Sequence, residues 1–415
     1  MNPLEVLTPR GHTLLWLGLV SALAGIGLGY EDITRVGLLA AVLPLVALLV
    51  TRRRPPSLAV RRVVQPLRLQ PDQRGMVEVG FVNVGSRSSV LYLAEEHVDP
   101  RLGDRPRFLL PRMDPLEERT VRYPVRSAVR GAYTLGPLGL RQRDPFGLTY
   151  VAVRLSSTAE LIVLPRVYDL GDERLRAQAR GSEGEQPQMV ALHGEDDVSI
   201  RSYRDGDELR RVHWPATAHR GELMVRQEDR PARRRAVLLL DGRGSAHGLT
   251  PSPSFEYAVS AIASAARRLM LDGFVVHLLS SQTVRDGTAA HPMDLDAILD
   301  SLARAVPEPD VQIEPVAAAA HSFTSGGVLA VAAVVAHDAD QLRHLAGIRE
   351  PGSRALAFVL DRKAFRGVRV PESTQPSRGG VLADAGWQTV PCTPQTPIPT
   401  AWVRLQSRAS AGSLR

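Results

Sequence analysis

The chain has 415 residues, 44% of them hydrophobic and 23% charged, a globular composition that excludes collagen-like, disordered and disulfide-scaffold classes and suggests two to three domains. Its formal net charge of +7 is spread among many acidic neighbours, which argues weakly for nucleic acid and better for an anionic membrane surface. Cys392 is the one cysteine, so an intrachain disulfide, a cysteine-based zinc site and an iron–sulfur cluster within one chain are excluded; Lys363 is the one lysine, so no GxxxxGK[ST] phosphate loop exists.

Two apolar runs open the chain. Leu14 to Gly29 carries no charge, and Ile33 to Val50 is interrupted only by Arg35. Each has the length a bilayer core asks of a helix, roughly 17–25 residues. A secretory signal is the competing reading, but no small-residue cleavage site follows and a second run comes at once. The pattern predicts a transmembrane hairpin over residues 1–55. Arg10 and His12 precede the first run, Arg52, Arg53 and Arg54 follow the second, and Glu31 and Asp32 occupy the turn. The positive-inside rule then places both outer ends, and everything after residue 55, in the cytoplasm of a bacterial cell. Gly25 and Gly29 form a small-xxx-small pair suited to close helix contact.

After Pro55 and Pro56, residues 56–165 read as short alternating strands. Val77, Val79 and Phe81 keep apolar side chains two apart, and turns fall at Asn83 to Ser86, Asp99-Pro100 and Asp144-Pro145. That rhythm predicts an antiparallel, immunoglobulin-like β-sandwich. Residues 166–192 are polar and read as a linker. From 193 to 400 the rhythm changes to buried strands alternating with helices: strands at Ala236–Leu240, Phe274–Leu279, Val328–Val335 and Ala355–Leu360, and helices at Phe255–Leu271 and Leu295–Leu302. This predicts a parallel α/β sheet with its crevice beyond the strand C-termini, where Asp241, Asp338 and Asp361 stand. Residues 401–415 form a tail.

The densest polar segment runs from Gly194 to Trp214. Asp205 can cap a short helix with Glu208 completing a capping box, Asp207 and Arg210 lie at i,i+3, and Pro215 would end the helix after Trp214. Its plainest reading is a docking clip with Trp214 buried among paired charges; a recognition surface and a catalytic site are the alternatives. Tyr203, Gly206, Asp207, Arg210, Trp214 and Arg226, together with Arg130-Gly131-Ala132-Tyr133 and Asp144-Pro145-Phe146-Gly147 upstream, resemble the signature of the bacterial family known as domain of unknown function 58 (DUF 58). His213 and His219 depart from it, standing where an aspartate and an arginine are usual.

The resemblance implies an α/β domain similar to the von Willebrand factor A fold. In true members of that fold a D-x-S-x-S loop holds a divalent metal. Here the loop is Asp241-Gly242-Arg243-Gly244-Ser245, and Arg243, a fixed cation without a lone pair, replaces the central serine. With Asp338 the only further donor in view, the expectation is a degenerate site with no metal and no cofactor, closed by an Arg243–Asp241 pair. The resemblance also implies partners: a MoxR-class AAA+ ATPase and a transglutaminase-like membrane protein. The reading that follows is a membrane-anchored, non-catalytic adaptor or scaffold that binds protein partners and the lipid bilayer, and no nucleic acid. A Mg²⁺- or Mn²⁺-dependent ligand-binding domain and a hydrolase are the rivals, although no G-x-S-x-G or H-E-x-x-H motif occurs.

Overall fold

The structure is a computed structural model. It describes residues 7–52, 57–144, 146–171, 198–203, 212, 214–228, 234–248, 252–309, 311–324, 328–336, 339–349, 353–367 and 380–411. The chain divides into two compact units, Met1–Leu164 and Pro165–Arg415.

The first unit begins with the helices Pro9–Leu28 and Glu31–Arg52, both long and apolar enough to cross a membrane by length and composition. Thr8 caps the first, its hydroxyl accepting from the Gly11 amide at 3.1 Å, and Pro9 supplies a preset φ where no intrahelical donor is needed. Gly29 ends it at φ 73, a left-handed backbone that only glycine adopts without cost. The expected Gly25–Gly29 contact pair is therefore half right. A Cβ at Gly25 would strike Thr34, and Cβ atoms at Gly18 and Gly37 would strike the backbones of Ala41 and Ala22. Close approach thus runs along Gly18, Ala22 and Gly25, while Gly29 serves the turn.

Three sheets follow. Leu58–Gln65, Arg74–Asn83 and Glu118–Arg126 pair antiparallel, and Arg107–Leu110, Tyr92–Glu96, Leu138–Arg143 and Tyr150–Leu155 form an antiparallel four-stranded sheet in that order. The third is mixed. Ala159–Val163 pairs antiparallel with Gly131–Leu135 but parallel with Arg68–Leu69, a departure from the purely antiparallel expectation. The parallel pairing gives edge amides partners: Ile162 and Leu164 donate to the carbonyls of Leu67 and Leu69. Alternate residues Val77, Val79 and Phe81 enter one core with Tyr123, Leu138, Leu140, Leu161 and Val163. A fully buried ion pair crosses between sheets, with Arg62 Nε donating to Glu96 Oε1 at 2.9 Å and Nη1 to the Ser157 carbonyl at 2.6 Å. Burial pushes the Glu96 carboxyl up, against the pull of Arg62.

In the second unit, Val198–Ser202 pairs antiparallel with Met224–Glu228, and the helix Trp214–Arg220 lies between them in sequence. A five-stranded parallel sheet then forms from Arg235–Leu240, Val275–Leu279, Leu329–Val335, Ala355–Leu360 and Gln388–Cys392. Its spatial order, in chain terms, is 2-1-3-4-5. That is a doubly wound order whose switch point falls between the first and third strands. Residues along each strand alternate between two buried faces. Val237, Leu239, Ala332, Val334, Ala357 and Val359 share a cluster with the Glu314–Thr324, Ala339–Ala346 and Gly380–Asp384 helices. The helix Pro253–Leu271 packs on four of the strands, and Phe358 stacks on Trp402 of the helix Ile398–Ala411 at 6.3 Å.

Candidate functional site

The switch point brings together the ends of Arg235–Leu240 and Leu329–Val335. Asp241 follows the first of these strands, its amide donating to the Ala333 carbonyl at 3.2 Å. All of its acceptor capacity is used. Oδ1 accepts from Arg243 Nε at 2.8 Å and from the Arg243 amide at 3.1 Å, while Oδ2 accepts from Arg243 Nη2 at 2.7 Å and from the Val335 amide at 3.1 Å. The guanidinium fork thus lies bidentate across the carboxylate two residues back, in the geometry that makes such pairs strong. Both side chains are fully buried.

Two further arginine donors are engaged. Nη1 reaches Gln341 Oε1 at 2.9 Å and Nη2 the Val335 carbonyl at 3.3 Å, and Gln341 Nε2 donates onward to Gln312 Oε1 at 2.8 Å. The backbone holds the loop rigid. Gly244 donates to the Glu308 carbonyl at 2.7 Å and Glu308 to the Gly242 carbonyl at 2.9 Å. Burial alone would raise the Asp241 carboxyl, but the Arg243 hydrogen bonds and charge, aided by the Val335 amide, outweigh it and hold the carboxyl below the usual carboxylate range.

A second polar contact lies close by. His247 Nδ1 and Ser254 Oγ are 2.9 Å apart, Ser254 touches Ser252 Oγ at 3.0 Å, and Ser252 caps the Pro253–Leu271 helix. Both His247 and Ser254 are buried. Burial holds the imidazole below its ordinary range, against the field of Asp241. A serine–histidine contact is the start of a nucleophile–base pair, but Asp241, the carboxylate whose field reaches the ring, is committed to Arg243.

A divalent cation does not fit these donors. A hard ion wants several free oxygens, whereas each Asp241 oxygen already takes two donors and a guanidinium lies across the carboxylate. Ser245 is exposed on the short helix Gly244–His247. Among the described residues, no group of three or more His, Cys, Asp or Glu could hold a metal. Asp338 lies outside the described residues.

The other predicted positions scatter. Tyr203 is half-buried just after its strand, its amide donating to the Leu223 carbonyl at 2.7 Å. Arg226 lies opposite Ile200 in the antiparallel pair. Gly206, Asp207, Arg210 and His213 lie outside the described residues, as does the proposed capping box at Asp205 and Glu208. Trp214 corrects the sequence reading twice. It starts a helix rather than ending one, because Pro215 is tolerated in a first turn where its missing N–H has no partner to lose. It is also 68% exposed, so it is no buried anchor. Sequence reasoning missed Gln341, Gln312 and the Val335 amide, which lie more than sixty residues from Arg243 and carry no local signal.

Fold and site together define an α/β domain whose switch-point crevice is closed by an internal arginine fork. The family model described as "Protein of unknown function DUF58" matches residues 199–285, the stretch holding Tyr203, Trp214, Arg226, Asp241, Arg243 and Ser245. No curated protein matches the chain. Solved structures give distant likenesses. The CARDB domain of a Pyrococcus furiosus protein, solved in complex with di-metal ions, is 16% identical over 26% of this chain and 89% of its own, with a TM-score of 0.20. The putative ApaA protein of Bordetella pertussis is 16% identical over 26% of this chain and 96% of its own, with a TM-score of 0.21. Likenesses of this size assign neither fold nor activity.

Proposed function

We propose that this protein is a membrane-anchored, non-catalytic adaptor whose α/β domain, similar to the von Willebrand factor A fold, grips a protein partner rather than a metal or a substrate. The observation that carries the reading is the saturation of Asp241 by Arg243 and Val335: the crevice where a doubly wound sheet holds its ligand is filled by the protein's own cation. The two apolar helices anchor the chain in the bacterial plasma membrane, with the sheets and the α/β domain cytoplasmic. Anchoring confines the domain to a thin layer and raises its effective concentration toward other membrane-bound proteins. The resemblance to the domain of unknown function 58, supported over residues 199–285, implies a MoxR-class AAA+ ATPase as that partner, alongside a transglutaminase-like membrane protein in envelope-related assembly. Trp214, exposed within that stretch, is the side chain best placed to be covered by it.

Co-purification with the cognate MoxR-class ATPase tests the reading. The wild-type chain retains the ATPase, and the Asp207→Ala, Trp214→Ala double variant loses it. No retention by wild type, or equal retention by both, overturns the proposal.

A further inference from the structure

The end of the β-sheet unit nearest the two helices carries a set of apolar side chains that water does not explain. Phe146 is 65% exposed, Val84 60% and Leu116 80%. Leu116 is held at φ 64 as well, a left-handed backbone that a bulky side chain adopts only at a cost. Strand register puts all three at one end. Leu58 pairs with Asn83, Val82 with Glu118, Tyr92 with Leu110 and Arg143 with Tyr150, so the loops over residues 84–91, 111–117 and 144–149 leave the same edge. The first two loops are bonded together there. Val84 donates to the Ser57 carbonyl, Leu116 to the Asn83 carbonyl and Ser89 to the Met113 carbonyl.

The same edge is fastened to the apolar helices. Ser57 stands five residues past the end of the second. The 144–149 loop is tied to the start of the first: Thr8 Oγ1 donates to the Gly147 carbonyl at 2.7 Å, and the Thr8 amide to the Leu148 carbonyl at 2.9 Å. Asp144 shapes that loop by accepting from the Phe146 amide at 2.8 Å and from the Thr149 hydroxyl at 2.9 Å, and Phe146 stays largely exposed on it.

Helix length fixes the depth of this edge. Pro9–Leu28 has 20 residues. At 1.5 Å per residue these span about 30 Å, the thickness of a hydrocarbon core, and the charge-free run begins only at Leu14, so Thr8, Arg10 and His12 lie on the headgroup side of its boundary. The 144–149 loop, hydrogen-bonded to Thr8, then lies at headgroup level with the sheet end it shares with the other two loops, where amphipathic and aromatic side chains bury their apolar parts. Exposed Arg87 and Arg112 flank Val84 and Leu116, and exposed Arg10 opens the first helix; each suits an anionic headgroup. We infer that Val84, Leu116 and Phe146, with Arg87 and Arg112 beside them, form a lipid-binding rim that seats the β-sheet unit in the interfacial layer of an anionic bilayer. The inference rests on the reading that the two helices span that bilayer, and adds that the folded unit is held against the membrane instead of swinging from a tether.

Depth-resolved quenching tests it on the full chain in nanodiscs containing phosphatidylglycerol. Single cysteines at Phe146→Cys, Leu116→Cys, Leu67→Cys and Leu38→Cys carry an environment-sensitive fluorophore. Native Cys392 stays unlabelled because it is buried and its thiol is pushed up to about 11 by burial. Leu67 is 60% exposed at the opposite end of the sheets, and Leu38 lies within the second helix. Shallow nitroxide lipids should take roughly half the emission of the Phe146 and Leu116 probes and little of the Leu67 probe, while deep nitroxide lipids quench the Leu38 probe. A quenched Leu38 probe with Phe146 and Leu116 probes no more quenched than Leu67 overturns the rim and leaves the spanning helices intact. An unquenched Leu38 probe overturns both.

Discussion

Arg243 settles what the crevice can hold, because a buried guanidinium and a divalent ion compete for the same carboxylate. The pair is an arrangement with high stakes on either side. Its Coulomb gain is set against the desolvation of two ions, so its net contribution is modest, yet removing one partner strands the other. Arg243→Met should therefore cost about 3–5 kcal/mol of unfolding free energy, and the double variant Asp241→Leu, Arg243→Met should recover most of that loss. A single variant that unfolds like wild type would mean the pair is not buried as described. Mg²⁺ should leave the wild-type melting temperature unchanged; a rise that disappears in Asp241→Ala would return an ion to the site. His247 adds a pH dependence with a definite sign. Burial holds the folded imidazole below its ordinary range, with Asp241 opposing and Arg243 and Arg362 reinforcing that shift. The unfolded chain then takes up a proton near pH 6.5 that the folded chain refuses, so stability is full above that value and drains away as pH falls below it. His277, also lowered by burial, acts in the same direction. Denaturant titrations from pH 7 to pH 5.5 should show a decline of at most about 1.4 kcal/mol per pH unit from His247, with a shallower slope in His247→Gln. A profile identical in the two proteins would remove His247 from the account.

Elements with a strong period were legible in the sequence, and those without one were not. The first four parallel strands are mainly apolar runs, interrupted only by Arg235 and His277, and were found within a residue or two, because burial on both faces leaves little alternative. The fifth, Gln388–Cys392, was missed: it is polar at its start and contains Pro391, which an edge strand tolerates and a central one does not. The Arg243–Asp241 pair was legible from the D-x-R-x-S spacing. Its partners were not, since Gln341 and Val335 lie 98 and 92 residues from Arg243 and only the fold joins them. Trp214 was misread because an isolated tryptophan beside charges carries no periodic signal of its own. In the helical hairpin, glycine content was visible, but which glycines face the partner helix was a matter of angle around each helix. Gly37→Leu should lower the thermal stability of the detergent-purified chain by about 1–3 kcal/mol, since its side chain has only the Ala22 backbone to occupy. Gly27→Leu, with open space around it, is the matched control and should be neutral. Equal effects at both positions would show that helix propensity, not packing, is being measured.

For the whole molecule, the proposed adaptor role turns on which side of the bilayer the folded units occupy, since a partner of a cytoplasmic ATPase must itself be cytoplasmic. Charge asymmetry sets the expectation. Arg10 precedes the first helix, and Arg52 closes the second with Arg53 and Arg54 after it. The start of the second helix, beside the turn, holds one basic residue, Arg35, and it is neutralised locally: its guanidinium lies 2.6 Å from Glu31 and 3.4 Å from Asp32. Two acids against one base leave the turn with a formal charge of −1. The positive-inside rule weighs basic residues near the ends of the helices, so under the proposed anchoring the turn is the end expected to cross and the arginine-flanked ends are expected to stay behind. A membrane-impermeant maleimide applied to intact cells, or to spheroplasts where an outer barrier blocks it, should label Tyr30→Cys, a position exposed in the turn. Leu67→Cys in the β-sheet unit should label only after the cytoplasmic membrane is permeabilised. The opposite pattern would put the sheets and the Arg243-closed crevice on the far side of the membrane, and the ATPase partnership would fall with it.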